Sequence, residues 1–140
     1  MAGYSGTPLW SKLGVKPAHR VTLVKSPDGL ASTLPPLPAG AVVEAPPRRA
    51  GTYDIVMLFV RELRTFPREF VKLGDRLAPS GALWVCWPKK TSPLNAGFGE
   101  NEIRASALAL ETPAGHRLVD VKVCAIDEDW SALKFMRRRI

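Results

Sequence analysis

Two lysines that follow a tryptophan and a proline, Trp87-Pro88-Lys89-Lys90, are the densest set of ligand-binding groups in this sequence. Ammonium groups beside a rigid ring and an aromatic surface can grip a phosphate or carboxylate, or stack a base on the indole. The plainer reading is a core tryptophan followed by a solvated basic turn. Asn101 and Arg104, one helical turn apart, can face the same loop and offer a fork for an anion, or belong to a solvated surface. Arg64, Arg68, Lys72 and Arg76 recur every fourth residue, which predicts a basic ridge suited to tracking phosphates along nucleic acid. Glu62, Glu69 and Asp75 interrupt that ridge, as they do on an ordinary solvated helix face. Asp127-Glu128-Asp129, beside Trp130, crowds carboxylates into one turn that suits a cation, a basic partner or a polar hairpin alone.

Catalytic groups are sparse. His19 and His116 fall in expected loops, and the chain has no Gly-x-Ser-x-Gly, no Walker loop and no metal-binding histidine pair. Cys86 and Cys124 each sit in an apolar run without metal-ligand spacing and read as unpaired, inert thiols. No catalytic residue, no metal and no cofactor is therefore expected. The net charge of +7 permits contact with nucleic acid or anionic metabolites without requiring it. No apolar run approaches the ~20 residues of a membrane helix, and Met1 to Thr7 lacks a basic region followed by an apolar one. A cytoplasmic protein with an anionic ligand or a protein partner, and no membrane, is expected.

Those groups need a scaffold, and 140 residues with 46% hydrophobic and 24% charged suit one α/β domain. Glycines and prolines make residues 1–20 an arm that packs on the core, with at most a helical turn around Trp10 to Leu13. Strands are predicted at Val21 to Val24, Ala41 to Glu44, Ile55 to Val60, Ala82 to Trp87, Leu118 to Ile126 and Ser131 to Met136. The continuous apolar run Ile55 to Val60 marks a central strand covered on both faces. Helices are predicted at Thr65 to Leu77, stopped by Ala78-Pro79-Ser80-Gly81, and at Glu100 to Leu110. Pro35, Pro36, Pro38, Pro46 and Pro47 forbid a long helix between residues 30 and 52, apart from a turn near Leu30 to Leu34. The fold class is α/β, a Rossmann-like, mostly parallel sheet flanked by helices and closed by an antiparallel hairpin.

This order resembles a shortened class I methyltransferase. The resemblance implies a cofactor site after the first strand, at Lys25-Ser26-Pro27-Asp28-Gly29, with Asp28 and Gly29 at the cofactor and Glu44 on its ribose. One glycine and a proline without an N–H supply few amides for a cofactor such as S-adenosylmethionine. At finer grain the chain resembles the bacterial family called domain of unknown function 3052. The residues that carry this are Gly3-Tyr4-Ser5-Gly6-Thr7-Pro8-Leu9, Lys12-Leu13-Gly14, Leu77-Ala78-Pro79, Trp84-Val85, Trp87-Pro88-Lys89-Lys90, Asp120 to Asp127 and Trp130-Ser131. It departs from that family's pattern between Thr91 and Gly99 and between Thr112 and His116. The sequence reading is a non-catalytic domain binding an anionic ligand or partner at its strand ends. One alternative is a methyltransferase-like enzyme using S-adenosylmethionine through an atypical loop. The other is a nucleic-acid-binding module that uses the basic helix face.

Overall fold

The computed structural model describes residues 9–30 and 34–138. The turn expected near Leu30 to Leu34 and the first eight residues of the arm fall largely or wholly outside them. Six strands form one sheet in the order β2-β1-β3-β4-β6-β5, where β1 is Arg20–Val24, β2 Val42–Glu44, β3 Tyr53–Phe59, β4 Leu77–Pro88, β5 Leu118–Ala125 and β6 Trp130–Arg137. The first four are parallel, and β6 runs antiparallel to both of its neighbours. Helices α1 (Leu9–Leu13), α2 (Phe66–Gly74) and α3 (Glu100–Leu108) flank the sheet. The α/β architecture with its closing hairpin is as the sequence predicts.

Alternation along the two central strands splits the core in two. Val56, Leu58 and Val60 of the β3 segment join Leu83, Val85 and Trp87 of β4 beneath α2 and α3, with Phe66, Phe70 and Ile103 from the helices. Ile55, Met57, Phe59, Ala82, Trp84 and Cys86 face the other way. Among the described residues that second face has no long helix, and the prolines forbid one between residues 35 and 47. Leu34, Leu37 and Ala41 of the proline-rich stretch cover it together with Trp10 and Leu13 of α1. Indole hydrogen bonds tie this cover down: Trp10 Nε1 donates to the Pro35 carbonyl at 2.7 Å, and Trp84 Nε1 donates to the Leu13 carbonyl at 3.0 Å.

The end of α2 and the start of β4 differ from the sequence reading by several residues, and together they move charged side chains. Helix α2 ends at Gly74, because Tyr53 N–H donates to the Arg76 carbonyl at 2.8 Å and Leu77 pairs with Tyr53 as the first residue of β4. Ala78-Pro79-Ser80-Gly81 is therefore no stop between elements but an irregular stretch inside β4, where the register steps from Tyr53/Leu77 to Ile55/Ala82. The basic ridge does not survive this as a helix face. Arg64 precedes α2, and Arg76 follows it and lies 5.4 Å over the Tyr53 ring, donating to the Gly51 and Arg48 carbonyls. Arg68 and Lys72 remain exposed on α2.

Candidate functional site

In an open parallel sheet, ligands bind beyond the carboxyl ends of the strands, above all where the strand order reverses. That reversal lies between β1 and β3. Here the crevice is bridged by the protein's own groups. Lys25 adopts φ +59, its carbonyl accepts from Arg61 Nη1 at 3.1 Å, and its ammonium pairs with Glu69. Arg61 also lies 5.3 Å over the Trp130 ring. Asp28 and Gly29 are exposed, and a Cβ on Gly29 would meet nothing within 4 Å among the described residues.

Glu44 is engaged at the opposite edge of the same strands. Its Oε1 accepts from Arg20 at 3.0 Å and Tyr53 at 2.8 Å, and its Oε2 faces Arg48 Nε at 2.9 Å. The Arg20 guanidinium, then the Tyr53 hydroxyl, hold its carboxyl below the usual range. At Asp75, burial pushes the carboxyl up, but hydrogen bonds from Thr112, His116 and the Ala114 amide outweigh it and leave the group lowered. A carboxyl lowered by folding stabilises above its unfolded value and loses that contribution as pH falls through the folded one. Stability is expected to fall below about pH 4. Denaturant midpoints of Glu44→Gln against pH are expected to fall less steeply there than those of the parent, and parallel curves would refute the assignment.

One strand along, a pocket of about 580 Å³ opens where β4 ends and α3 begins, within the range of small-molecule sites. Trp87, Lys89, Lys90, Asn101, Phe98 and Val123 are among its walls. Pro88 ends β4 and places the two lysines, pairing with Trp130 while the Lys89 amide donates to the Asp129 carbonyl at 2.8 Å. Trp87 is only 5% exposed, so its ring faces the core and base stacking on it is excluded by packing. What it offers is its edge: an added Cβ on Gly99 would stand 3.9 Å from Trp87 Nε1 and 3.9 Å from Lys90 Cε.

The polar groups of this pocket divide by sign. Its two carboxylates are engaged internally: Glu102 Oε1 accepts from the Gly99 N–H at 2.9 Å, and Glu100 Oε2 accepts from Arg104 Nη2 at 2.5 Å. The Gly99 and Glu102 amides hold the Glu102 carboxyl below its usual range, and Lys90 adds to this. Among the described residues, however, neither Lys89 nor Lys90 has a carboxylate within 4 Å, and Trp87 Nε1 has no acceptor. The helix start itself adds partial positive charge. Donors without acceptors are what an anion needs.

Arg104 requires a correction. Its Nε donates to Asp120 at 2.9 Å while Nη2 holds Glu100, so it docks α3 onto β5 and is absent from the pocket wall. Asn101 does line the pocket. The acidic turn closes on itself: Asp127 Oδ1 accepts from the Asp129 and Trp130 amides at 2.8 and 2.9 Å, and Asp129 takes Ser92 Oγ at 2.8 Å. Among the described residues no group of three His, Cys, Asp or Glu side chains is placed to hold a metal. Cys86 and Cys124 are unpaired, and burial pushes both thiols above their usual value, away from nucleophilic chemistry. Gly99 and Glu102 are pocket residues the sequence reading missed, although a glycine followed three residues later by glutamate is a helix-start signal. Val123 and Ser131 carried no signal, since only the β5–β6 hairpin brings them here.

No family model matches this sequence, and no curated protein matches it. Solved structures do. The N-methyltransferase NodS from Bradyrhizobium japonicum WM9 superposes with a TM-score of 0.53 and 12% identity, covering 93% of this chain and 90% of that one. TrmN from Thermus thermophilus gives 0.50 and 12%, over 93% of this chain and 47% of that one, so this chain spans about half its length. Identity at that level speaks for the fold alone. The chain has a methyltransferase-like Rossmann fold.

Proposed function

We propose that this chain binds a small anionic ligand, a phosphate or carboxylate, in the pocket at the end of β4. One observation carries the reading: the pocket's two carboxylates, Glu102 and Glu100, accept from Gly99 and Arg104, while among the described residues Lys89 and Lys90 have no carboxylate within 4 Å and Trp87 Nε1 has no acceptor. The role is binding, in a single cytoplasmic domain. The unpaired thiols Cys86 and Cys124 suit a reducing compartment, and no helix among the described residues is long and apolar enough to cross a membrane. The Trp87-Pro88-Lys89-Lys90 and Asp120 to Asp127 segments support membership of the domain of unknown function 3052 family.

A second reading, an S-adenosylmethionine-dependent methyltransferase, draws support from the N-methyltransferase neighbour. The residues at the usual cofactor position do not fit it. Arg61 and Glu69 tie Lys25 across the crevice, Glu44 is engaged by Arg20, Tyr53 and Arg48, and among the described residues nothing lies within 4 Å of a Cβ built on Gly29. Thermal unfolding of the whole chain distinguishes the readings, because a ligand that binds only the folded state raises its melting temperature. Inorganic phosphate, a sugar phosphate or a dicarboxylate is expected to raise it by several degrees, with the rise lost in Lys89→Ala/Lys90→Ala. A rise with S-adenosylhomocysteine that survives this double substitution would replace the first reading by the second.

A further inference from the structure

On the other face of the sheet, lysines converge where the end of α1 meets the outer strands. Lys122 of β5 and Lys134 of β6 are direct partners across the antiparallel pair, on the face that carries Trp84, Cys124 and Met136. Lys134 Nζ lies 5.8 Å from the Trp84 ring centre, and a Cβ on Gly14 would stand 3.8 Å from it. Lys16 is close enough for its charge to bear on Lys134, as Lys12 is for Cys124. Among the described residues no carboxylate lies within 4 Å of Lys16, Lys122 or Lys134.

Like charges directly opposite one another weaken a strand pair. Burial, then Lys122 and Lys16, hold the Lys134 ammonium below its usual value, so this repulsion is felt in the folded chain. A fold that gathers such charges on a sheet, with no carboxylate within 4 Å of them among the described residues, is matched by an external polyanion. The patch is open, because β5 is the outermost strand and Val119 and Val121 stand exposed beside it. All four tryptophans are buried, leaving no indole to enter a bilayer or to stack on unpaired bases. Evenly spaced phosphates on a double helix fit a flat cationic strand surface of this kind.

We propose that the Lys16, Lys122 and Lys134 face binds the phosphate backbone of duplex nucleic acid without reading its sequence. This moves nucleic-acid contact from α2, where the spacing of arginines suggested it, to the opposite side of the sheet. The test is anisotropy of short labelled DNA and RNA duplexes with the whole chain at low and physiological salt, with anionic phospholipid vesicles as a parallel arm. Binding is expected to weaken steeply with salt, and Lys122→Glu or Lys16→Glu to weaken it about tenfold or more. Lys122→Glu is also expected to raise the melting temperature, since an opposite charge then faces Lys134, so lost binding cannot be lost folding. Lys72→Glu, on the other face, is expected to change binding by less than about twofold. Unchanged binding in both Lys122→Glu and Lys16→Glu, no binding of either duplex by the parent chain, binding to vesicles alone, or a loss that follows Lys72 would overturn the proposal.

Discussion

Gly81→Ala is expected to lower the free energy of unfolding by about 3 kcal/mol, the scale of overpacking a site that cannot yield. The new Cβ would stand 2.9 Å from the Tyr53 carbonyl oxygen, 3.0 Å from that of Asp54 and 3.1 Å from that of Ala78. All three are backbone atoms, so no side chain can swing away. Gly81 is the point where the irregular stretch of β4 rejoins β3, and relief requires shifting the register that sets Leu83, Val85 and Trp87 in the core. Gly97 is the useful contrast. Its Cβ would meet nothing within 4 Å, but its φ of +86 disfavours a side chain, so Gly97→Ala is expected to cost about 1 kcal/mol. Urea midpoints of the two variants decide the matter: equal losses would mean that β4 adjusts at Gly81 and that contact there is not limiting.

The strands were legible because each depends on a local pattern. Ile55 to Phe59 is unbroken and apolar, and the fold buries it between two layers, so neighbours and sequence agree. The end of α2 was not legible, because a pairing decides it: Leu77 meets Tyr53 across the sheet, 24 positions earlier in the chain, and the helical spacing of Arg76 counts for less than that contact. The prolines between residues 35 and 47 excluded a long helix, and none is found there among the described residues, but nothing local announced that Leu34, Leu37 and Ala41 would cover a sheet face in its stead. In the candidate site, Trp87-Pro88-Lys89-Lys90 was readable as a cationic turn, since its charges are adjacent in the chain. Arg104 was misread because its partner Asp120 lies on a different element. The lysine pair Lys122 and Lys134 was invisible for the same reason, since their opposition exists only once the hairpin registers.

The pocket at the end of β4 is expected to fail in a graded way when its donors are removed one by one. A hydrogen bond to a charged group contributes about 1.5–3 kcal/mol, and about 1.4 kcal/mol is tenfold in affinity. Lys89→Ala/Lys90→Ala is therefore expected to weaken binding of a responsive anion, such as a sugar phosphate, about hundredfold, and Trp87→Phe, which keeps a smaller aromatic ring in the core and removes Nε1–H, about tenfold. Gly99→Leu approaches the pocket by volume instead. Its φ of −152 is open to any residue, and the first added carbon would meet only Lys90 Cε and Trp87 Nε1, each at 3.9 Å, so the rest of the leucine enters the space a ligand would take. The change replaces a tolerated helix-start glycine by a disfavoured residue, a cost of about 1 kcal/mol that the fold should bear. Titration calorimetry on these variants separates chemistry from shape: an affinity that drops with the lysines and with Gly99→Leu places the anion inside the pocket. A drop with the lysines alone would place it outside, on the exposed rim where Lys90 lies, and the pocket would then be incidental to binding.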